Sequence, residues 1–253
     1  MTDRDTSAGI PARVRLGWLS GELSARPGEP TRPRPAPGEH RLGQAEHRPA
    51  PGENRLGEAD GAPVLYVPDG LPDGPVALVV LLHGATSNPE RALPYLREQA
   101  RGYRFPLLVP KSRDRTWDVV RTGFGPDVAA LDQLLAAVFE EIAVDPERVA
   151  IAGFSDGASY ALSVGLINGD LFPRILAFSP GFVLPGQRRG RPEVFVSHGV
   201  HDQVLPVDQC GRRIVADLRR DGYSVDYREF DGGHQVVPRL ACAAAEQLVS
   251  GIV

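Results

Sequence analysis

The stretch RVAIAGFSDGASYALSVGLING, residues 148–169, decides the fold of this chain. It opens with an apolar run that is typical of a buried strand and continues with a pattern that is typical of a helix. Between them lies Gly153-Phe154-Ser155-Asp156-Gly157, a G-x-S-x-G motif. In this context the serine sits on a sharp, strained turn, and glycines flank it because side chains there would collide. We therefore predict that Ser155 is a nucleophile; the alternative is a glycine-rich turn with an inert serine.

Apolar runs of strand length alternate with helical patterns on both sides of this motif. Strands are predicted over residues 76–82, 105–110, 148–153, 175–179, 193–197 and 224–230. Helices are predicted over residues 89–101, 127–143, 158–169, 208–221 and 238–249. This alternation is typical of βαβ units, so we predict an α/β fold with a mostly parallel central sheet and helices on both faces. Such sheets place their ligand sites beyond the carboxyl ends of the strands.

The first 60 residues are rich in Pro, Arg, Gly and Glu and poor in large apolar residues. They contain a near-repeat, RPAPGEHRLGQAE at 34–46 and RPAPGENRLGEAD at 48–60. Proline-rich polar stretches resist packing, and two copies are too few for a solenoid. We therefore predict an N-terminal arm over residues 1–62, followed by a catalytic domain over residues 63–253.

Two segments near this boundary are predicted as short edge strands. They are LGWLSGEL at 16–23 and PVLYVP at 63–68. His40 and His47 lie within the repeats, where a functional role is not expected.

A serine at its ordinary pKa is a poor nucleophile, so a histidine must accept its proton and a carboxylate should orient that histidine. Hydrolases built on this turn carry Ser, then Asp or Glu, then His along the chain. His234 in FDGGHQVVP and Asp202 in VFVSHGVHDQVLPV fit that order, each in a loop after a predicted strand. Asp231 is a weaker candidate because it lies only three residues from His234, and Asp208 is predicted to cap the following helix.

His198 and His201 flank the predicted acid. They are interpreted as local hydrogen-bonding residues, because the companions that a metal site would need are missing from the sequence. No metal or organic cofactor is therefore expected.

The turn after the strand at 76–82 reads His83-Gly84-Ala85. The backbone N–H groups of Ala85 and of Asp156 are the predicted oxyanion donors. For the substrate pocket, His83, Trp117 and Phe124 are candidates, although an aromatic side chain packed beneath a long loop would explain Trp117 equally well.

Composition excludes several classes of function. Net charge is −4, the pI is near 5.9, and the basic residues are scattered, so a nucleic-acid partner is not expected. Lys111 is the only lysine, which disfavours a Schiff-base mechanism. Cys210 and Cys242 are expected to be free thiols. The N-terminus lacks the apolar core of a signal peptide, and no run reaches the roughly 18 apolar residues of a membrane span, so a cytoplasmic enzyme without integral membrane association is expected.

The chain resembles the phospholipase/carboxylesterase family of α/β-hydrolases and, more loosely, esterase and depolymerase-like hydrolases. The resemblance runs from about residue 76 to the C-terminus and rests on LLHGA, GFSDGASYALSVGL, HGVHDQVLPV and DGGH. It implies an α/β-hydrolase fold and the roles already assigned to the predicted triad and oxyanion donors. Family members often show H-G-x-G where this chain has Thr86, and Gln or Ala where it has Asp156.

These observations together predict a carboxylic-ester hydrolase that acts on small or short-acyl esters through an acyl-enzyme, with lysophospholipids and thioesters as further substrates. Because fold and triad do not choose between ester and amide, a serine peptidase or an acyltransferase is the alternative. A catalytically silent binding protein on the same scaffold is the third hypothesis.

Overall fold

The computed structural model of the protein describes residues 19–41, 61–120 and 123–249. These residues form an eight-stranded sheet in the order β1-β2-β4-β3-β5-β6-β7-β8. Pairs β1–β2 and β2–β4 are antiparallel, and every pair from β4 to β8 is parallel. The strands are β1 Gly38–Arg41, β2 Val64–Val67, β3 Val76–Leu82, β4 Leu107–Val109, β5 Val144–Phe154, β6 Arg174–Phe178, β7 Glu193–Gly199 and β8 Val225–Phe230.

Helices cover both faces of this sheet. They are α1 Pro89–Ala92, α2 Arg97–Tyr103, α3 Pro126–Glu141, α4 Asp156–Ile167, α5 Gly211–Arg220 and α6 Pro238–Val249, with short 3-10 helices at Leu93–Tyr95 and Asp118–Val120. Helices α3, α4 and α5 pack on one face, whereas α1, α2 and α6 pack on the other. Within the described ranges, none of the helices is both long and apolar enough to cross a membrane.

The central strand β3 shows why its sequence is a continuous apolar run. Residues 76, 78, 80 and 82 point into the core under α3 and α4, and residues 77, 79 and 81 point into the core on the opposite face. Successive side chains of a strand alternate between faces, so a strand covered on both sides must be apolar throughout. The predicted α/β fold is therefore confirmed.

The predicted elements of this sheet appear near their expected positions, with instructive departures in the helices. The helix predicted at 89–101 is broken by a 3-10 turn at Leu93–Tyr95, because Pro94 has no N–H to continue the α-helical pattern. The helix predicted over residues 208–221 begins only at Gly211. Asp208 does not cap it; Cys210 occupies the N-cap position, and Asp208 pairs with Arg212 at 2.7 Å.

Two outcomes concern the N-terminal region. The strand predicted at 64–67 within PVLYVP is present as β2, but LGWLSGEL is not a strand over its described residues 19–23. Residues 16–18 of that segment lie outside the described residues. Unexpectedly, the first copy of the near-repeat supplies the edge strand β1. The second copy, including His47, also lies outside the described residues.

Residues 19–32, here called the N-terminal strap, run across helices α3 and α4. The buried amide of Asn168 accepts from Leu23 N–H and donates to Gly21 O, both at 2.8 Å. The buried carboxylate of Asp132 accepts from the backbone N–H groups of Ser24 and Ala25 at 2.7 and 2.8 Å. Since an extended segment makes no hydrogen bonds of its own, these side chains satisfy its backbone and hold it in place.

Replacing Asp132 with alanine should lower the free energy of unfolding by about 3 kcal/mol, because two backbone N–H groups of the strap lose their acceptor. The matched control is Asp170→Ala, which removes an exposed ion pair to Arg26 of the same strap and should change stability by less than about 1 kcal/mol. Urea denaturation of both variants checks this. Equal losses in the two variants would contradict the role given to Asp132.

Candidate active site

Ser155 lies on a strained turn between strand β5 and helix α4. Its φ is 57° and its ψ is −122°, in a region that side-chain-bearing residues rarely adopt. The turn is tied to the neighbouring strand, because Ser155 N–H donates to Phe178 O at 3.0 Å. Its own carbonyl accepts from the N–H groups of Ala158 and Ser159 in the first turn of the helix. A strained conformation of this kind persists only where surrounding contacts hold it, as these hydrogen bonds do here.

The glycines of the motif are required by close backbone contacts. A Cβ at Gly153 would lie 2.2 Å from Gly157 O, and a Cβ at Gly157 would lie 2.3 Å from Leu82 O at the end of β3. Neither contact is possible for a real side chain. The absence of side chains at these positions therefore lets the start of α4 approach the end of β3. This approach brings Ser155 beside Gly84, where a Cβ would lie 3.4 Å from Ser155 Cβ.

Three side chains from distant parts of the chain meet at this point. His234 Nε2 lies 2.9 Å from Ser155 Oγ, and His234 Nδ1 lies 2.7 Å from Asp202 Oδ2. Ser155 follows β5, Asp202 follows β7 and His234 follows β8, so all three lie at carboxyl ends of parallel strands. The imidazole also packs against the Phe154 ring, with 4.7 Å between the centroids. This arrangement can pass a proton from the serine hydroxyl to the imidazole.

The carboxylate of Asp202 is fully buried but well satisfied. Its Oδ1 accepts from the backbone N–H groups of Val204 and Leu205 at 2.9 and 2.8 Å. Burial alone would raise the pKa of Asp202, but the hydrogen bonds from Leu205 N–H and from His234 hold it below the usual value. The acid is therefore kept ionised opposite the imidazole.

His198 supports the same carboxylate from behind. Its Nε2 lies 2.7 Å from Leu205 O and 3.3 Å from Asp202 Oδ2. Burial lowers the pKa of His198, so the neutral ring donates from Nε2 toward both oxygens. By contrast, the rival acid Asp231 is exposed and lies 3.0 Å from His201 Nε2, away from the contacts that join the triad.

His83 anchors the turn that follows β3. Its Nδ1 donates to Gly84 O at 2.8 Å and its Nε2 accepts from Ser112 N–H at 3.1 Å, a pattern that only the neutral ring can make. Burial lowers the pKa of His83 to about 4. The next residues, Ala85 and Thr86, are exposed at the surface beside Ser155. Asp156 begins helix α4, where the first N–H groups have no partner within the helix.

Comparison with known proteins agrees with this architecture. A family model described as phospholipase/carboxylesterase matches residues 121–245. Feruloyl esterase C of Emericella nidulans is 23% identical over 209 residues, which cover 69% of this chain and 76% of that protein. Acyl-protein thioesterase 1 of Gibberella zeae is 29% identical over 103 residues, 37% of this chain and 43% of that protein. The crystal structure of esterase PE8 shares the fold with a TM-score of 0.59 and 23% identity, over 70% of this chain and 93% of that one.

The chain has the α/β-hydrolase fold and is similar, over residues 121–245, to the phospholipase/carboxylesterase family. The G-x-S-x-G motif and the triad candidates all fall within the segment that the family model matches. The turn at His83 and the strand β3 precede that segment, so their place in the site rests on the geometry described above.

The candidate pocket residues occupy different environments. Trp117 is only 1% exposed; it stacks on Tyr160 with 4.9 Å between centroids and donates from Nε1 to His83 O at 2.8 Å. The His83 ring is fully buried beside it. These two rings therefore pack beneath the turn and support it, and little of their surface is accessible. Phe124 is partly buried and lies near Tyr160 and Gly21, and its role in substrate binding stays a prediction.

Several contacts around the candidate site could not be predicted from the sequence. Thr116 Oγ1 donates to Asp156 Oδ2 at 2.7 Å, although 40 residues separate the two positions. No motif marks Thr116, because a threonine in a loop carries no spacing signal. The ion pairs of two arginines are likewise formed between distant segments: Arg188 pairs with Asp221 and Arg189 with Glu22, so these charges are neutralised against the body of the protein.

The buried neutral His83 predicts a specific pH dependence of stability. Between about pH 6.5 and about pH 4 the unfolded chain protonates this ring while the folded protein does not, so its contribution to stability falls as the pH falls. Between about pH 7 and pH 4.5, the free energy of unfolding of His83→Gln should therefore fall by about 2 kcal/mol less than that of the parent. Urea denaturation at the two pH values measures the difference.

A control is needed because Asp118 titrates in the opposite sense. Burial raises the pKa of Asp118 to about 6, so protonation of this group favours the folded state as the pH falls. Asp118→Asn should steepen the loss of stability at low pH, whereas His83→Gln should flatten it. An identical pH dependence in the parent and in His83→Gln would overturn the prediction.

Proposed function

We propose that this protein is a serine hydrolase that cleaves carboxylic esters through an acyl-enzyme intermediate. The proposal is carried by one observation, the position of His234 between Ser155 Oγ at 2.9 Å and Asp202 Oδ2 at 2.7 Å. A neutral imidazole in this position holds its proton on Nδ1 and presents a free electron pair on Nε2 to the serine hydroxyl. Ser155, His234 and Asp202 would then act as nucleophile, general base and orienting acid.

In the first step, Ser155 Oγ attacks the ester carbonyl carbon while His234 Nε2 takes the hydroxyl proton. The imidazolium formed is stabilised by the buried carboxylate of Asp202. Collapse of the tetrahedral intermediate expels the alcohol, which receives the proton from His234, and leaves an acyl group on Ser155. In the second step, water attacks the acyl group while His234 Nε2 takes its proton; the bond to Ser155 Oγ breaks, that oxygen receives the proton from His234, and the carboxylic acid leaves.

The negative oxygen of each tetrahedral intermediate needs hydrogen-bond donors. We assign this role to the backbone N–H groups of Ala85 and Asp156. Asp156 N–H belongs to the free first turn of α4, where the helix dipole favours negative charge. Ala85 follows Gly84, which packs against Ser155. Donors fixed in place before reaction need no reorganisation when the charge develops.

The substrate is proposed to be a small molecule with an ester bond. Relatives named feruloyl esterase C and acyl-protein thioesterase 1 suggest an aromatic ester and an acyl thioester as the first two compounds to test. A panel should include p-nitrophenyl butyrate, methyl ferulate, a short acyl thioester, a lysophospholipid and a peptide amide. Turnover of the amide alone would favour a peptidase, and transfer to an added alcohol in preference to water would favour an acyltransferase.

Ser155→Ala should abolish labelling by a fluorophosphonate probe and lower turnover of p-nitrophenyl butyrate by about 10⁴-fold or more, because the residual site lacks a nucleophile. Circular dichroism and the thermal midpoint check that the variant is folded. A parent protein that neither turns over any member of the panel nor reacts with the probe would instead indicate a silent binding protein.

The proposed role of Asp202 is tested by comparing substitutions at Asp202 and at Asp231. Asp202→Asn should lower kcat by about 10³ to 10⁴-fold, because the asparagine favours the wrong imidazole tautomer. Asp231→Asn, an exposed position, should leave kcat within about twofold of the parent, since exposed substitutions away from the site have small effects. The two kcat values are measured with p-nitrophenyl butyrate; comparable losses would refute the assignment of Asp202.

A further inference from the structure

The loop between β4 and the 3-10 helix at Asp118–Val120 contacts the immediate surroundings of both candidate oxyanion donors. Arg115 O accepts from Thr86 N–H at 2.5 Å, next to Ala85. Thr116 Oγ1 donates to Asp156 Oδ2 at 2.7 Å, on the residue that carries the second donor. Two consecutive residues, Arg115 and Thr116, therefore connect the two halves of the proposed oxyanion hole.

On one side, the loop is fastened to the turn after β3 by several hydrogen bonds. Ser112 N–H donates to His83 Nε2, and Trp117 Nε1 donates to His83 O, at 3.1 and 2.8 Å. Lys111 Nζ donates to Ser87 O at 3.3 Å. The turn and the loop thus form one cross-linked unit, in which the position of Ala85 depends on that of the loop.

Thr86 shows why this turn needs support. Its φ is 55°, a left-handed conformation that is unfavourable for a β-branched residue. An unfavourable conformation of this kind is kept only when other contacts hold it. The bond from Thr86 N–H to Arg115 O is such a contact, and it fixes the peptide that follows Ala85.

On the other side, Thr116 controls the side chain of Asp156. A short acidic side chain at the start of a helix can accept hydrogen bonds from the backbone N–H groups of the first turn. A carboxylate that turned toward the start of α4 would place its negative charge at the proposed oxyanion hole and would repel the charge of a substrate oxyanion. The hydroxyl of Thr116 gives that carboxylate a different partner and so leaves the donors available.

We propose that Thr116 is a positioning residue that holds the two oxyanion donors in register and keeps the Asp156 carboxylate from occupying them. The inference rests on the proposed function, because it concerns the same site. Thr116 itself transfers no proton and contacts no reacting atom in this assignment.

The test compares Thr116→Val, which keeps the shape but loses the donor, with Thr116→Ser, which keeps the donor. Thr116→Val should lower kcat for p-nitrophenyl butyrate by about 10 to 100-fold with KM within about twofold, since the oxyanion forms only after binding. Thr116→Ser should retain kcat within about threefold of the parent, by the same reasoning.

A second readout separates positioning from a general structural defect. A trifluoromethyl ketone inhibitor forms an anionic adduct with the serine, so its affinity should fall in Thr116→Val by the same factor as kcat/KM. The pH at which kcat/KM is half-maximal, which reports the imidazole base, should not move. Loss of kcat without loss of inhibitor affinity, or a parent-like kcat in Thr116→Val, would overturn the inference.

A double-mutant cycle tests the same bond from its other partner, Asp156. Asp156→Ala also removes the bond, so Thr116→Val added to Asp156→Ala should cause no further loss of kcat, whereas independent roles would multiply the two losses. Failure of the proposed function is recognised separately. In that case the parent itself would show neither ester turnover nor fluorophosphonate labelling, whereas failure of this inference leaves the parent fully active.

Discussion

The contact between the start of helix α4 and the end of strand β3 is the constraint on which the rest of the site depends. Gly157 lies so close to Leu82 O that no side chain fits between them. Because of this contact, the chain leaves β5 through a left-handed conformation at Ser155 and presents the serine hydroxyl above the sheet. The same contact sets Ser155 beside the turn at Gly84. Ser155 and the turn at Gly84 are therefore positioned by one backbone approach.

Burial and hydrogen bonding together determine the charge states of the groups around Ser155. Asp202 is buried, but two backbone N–H groups and the imidazole of His234 favour its ionised form. Burial lowers the pKa values of His198 and His83, so both rings are neutral. The site thus holds one buried carboxylate between two imidazoles in different environments. The His234 ring is partly accessible and contacts Ser155 Oγ, whereas the His198 ring is buried behind the carboxylate.

Much of this could be read from the residues alone. Buried strands such as β3 are recognisable because both of their faces are apolar. Ser155, Asp202 and His234 are recognisable because each follows a predicted strand in the expected chain order. The strap at residues 19–32 could not be foreseen. Its stability comes from single polar side chains, Asn168 and Asp132, that lie more than 100 residues away and form no local pattern. The edge strand β1 was hidden for a related reason, since an edge needs little apolar sequence.

The sequence by itself determined the class of fold. It also determined the three residues proposed as the triad and the order in which they follow the parallel strands. These features depend on periodicity and on short motifs, which are local properties of the chain. Only the tertiary structure decided that the Trp117 ring packs beneath the His83 turn, that the arginines at 188 and 189 are neutralised by Asp221 and Glu22, and that Thr116 meets Asp156. The physical reason is that hydrogen bonds and ion pairs between distant segments form wherever folding brings complementary groups together, and a sequence carries no spacing rule for them.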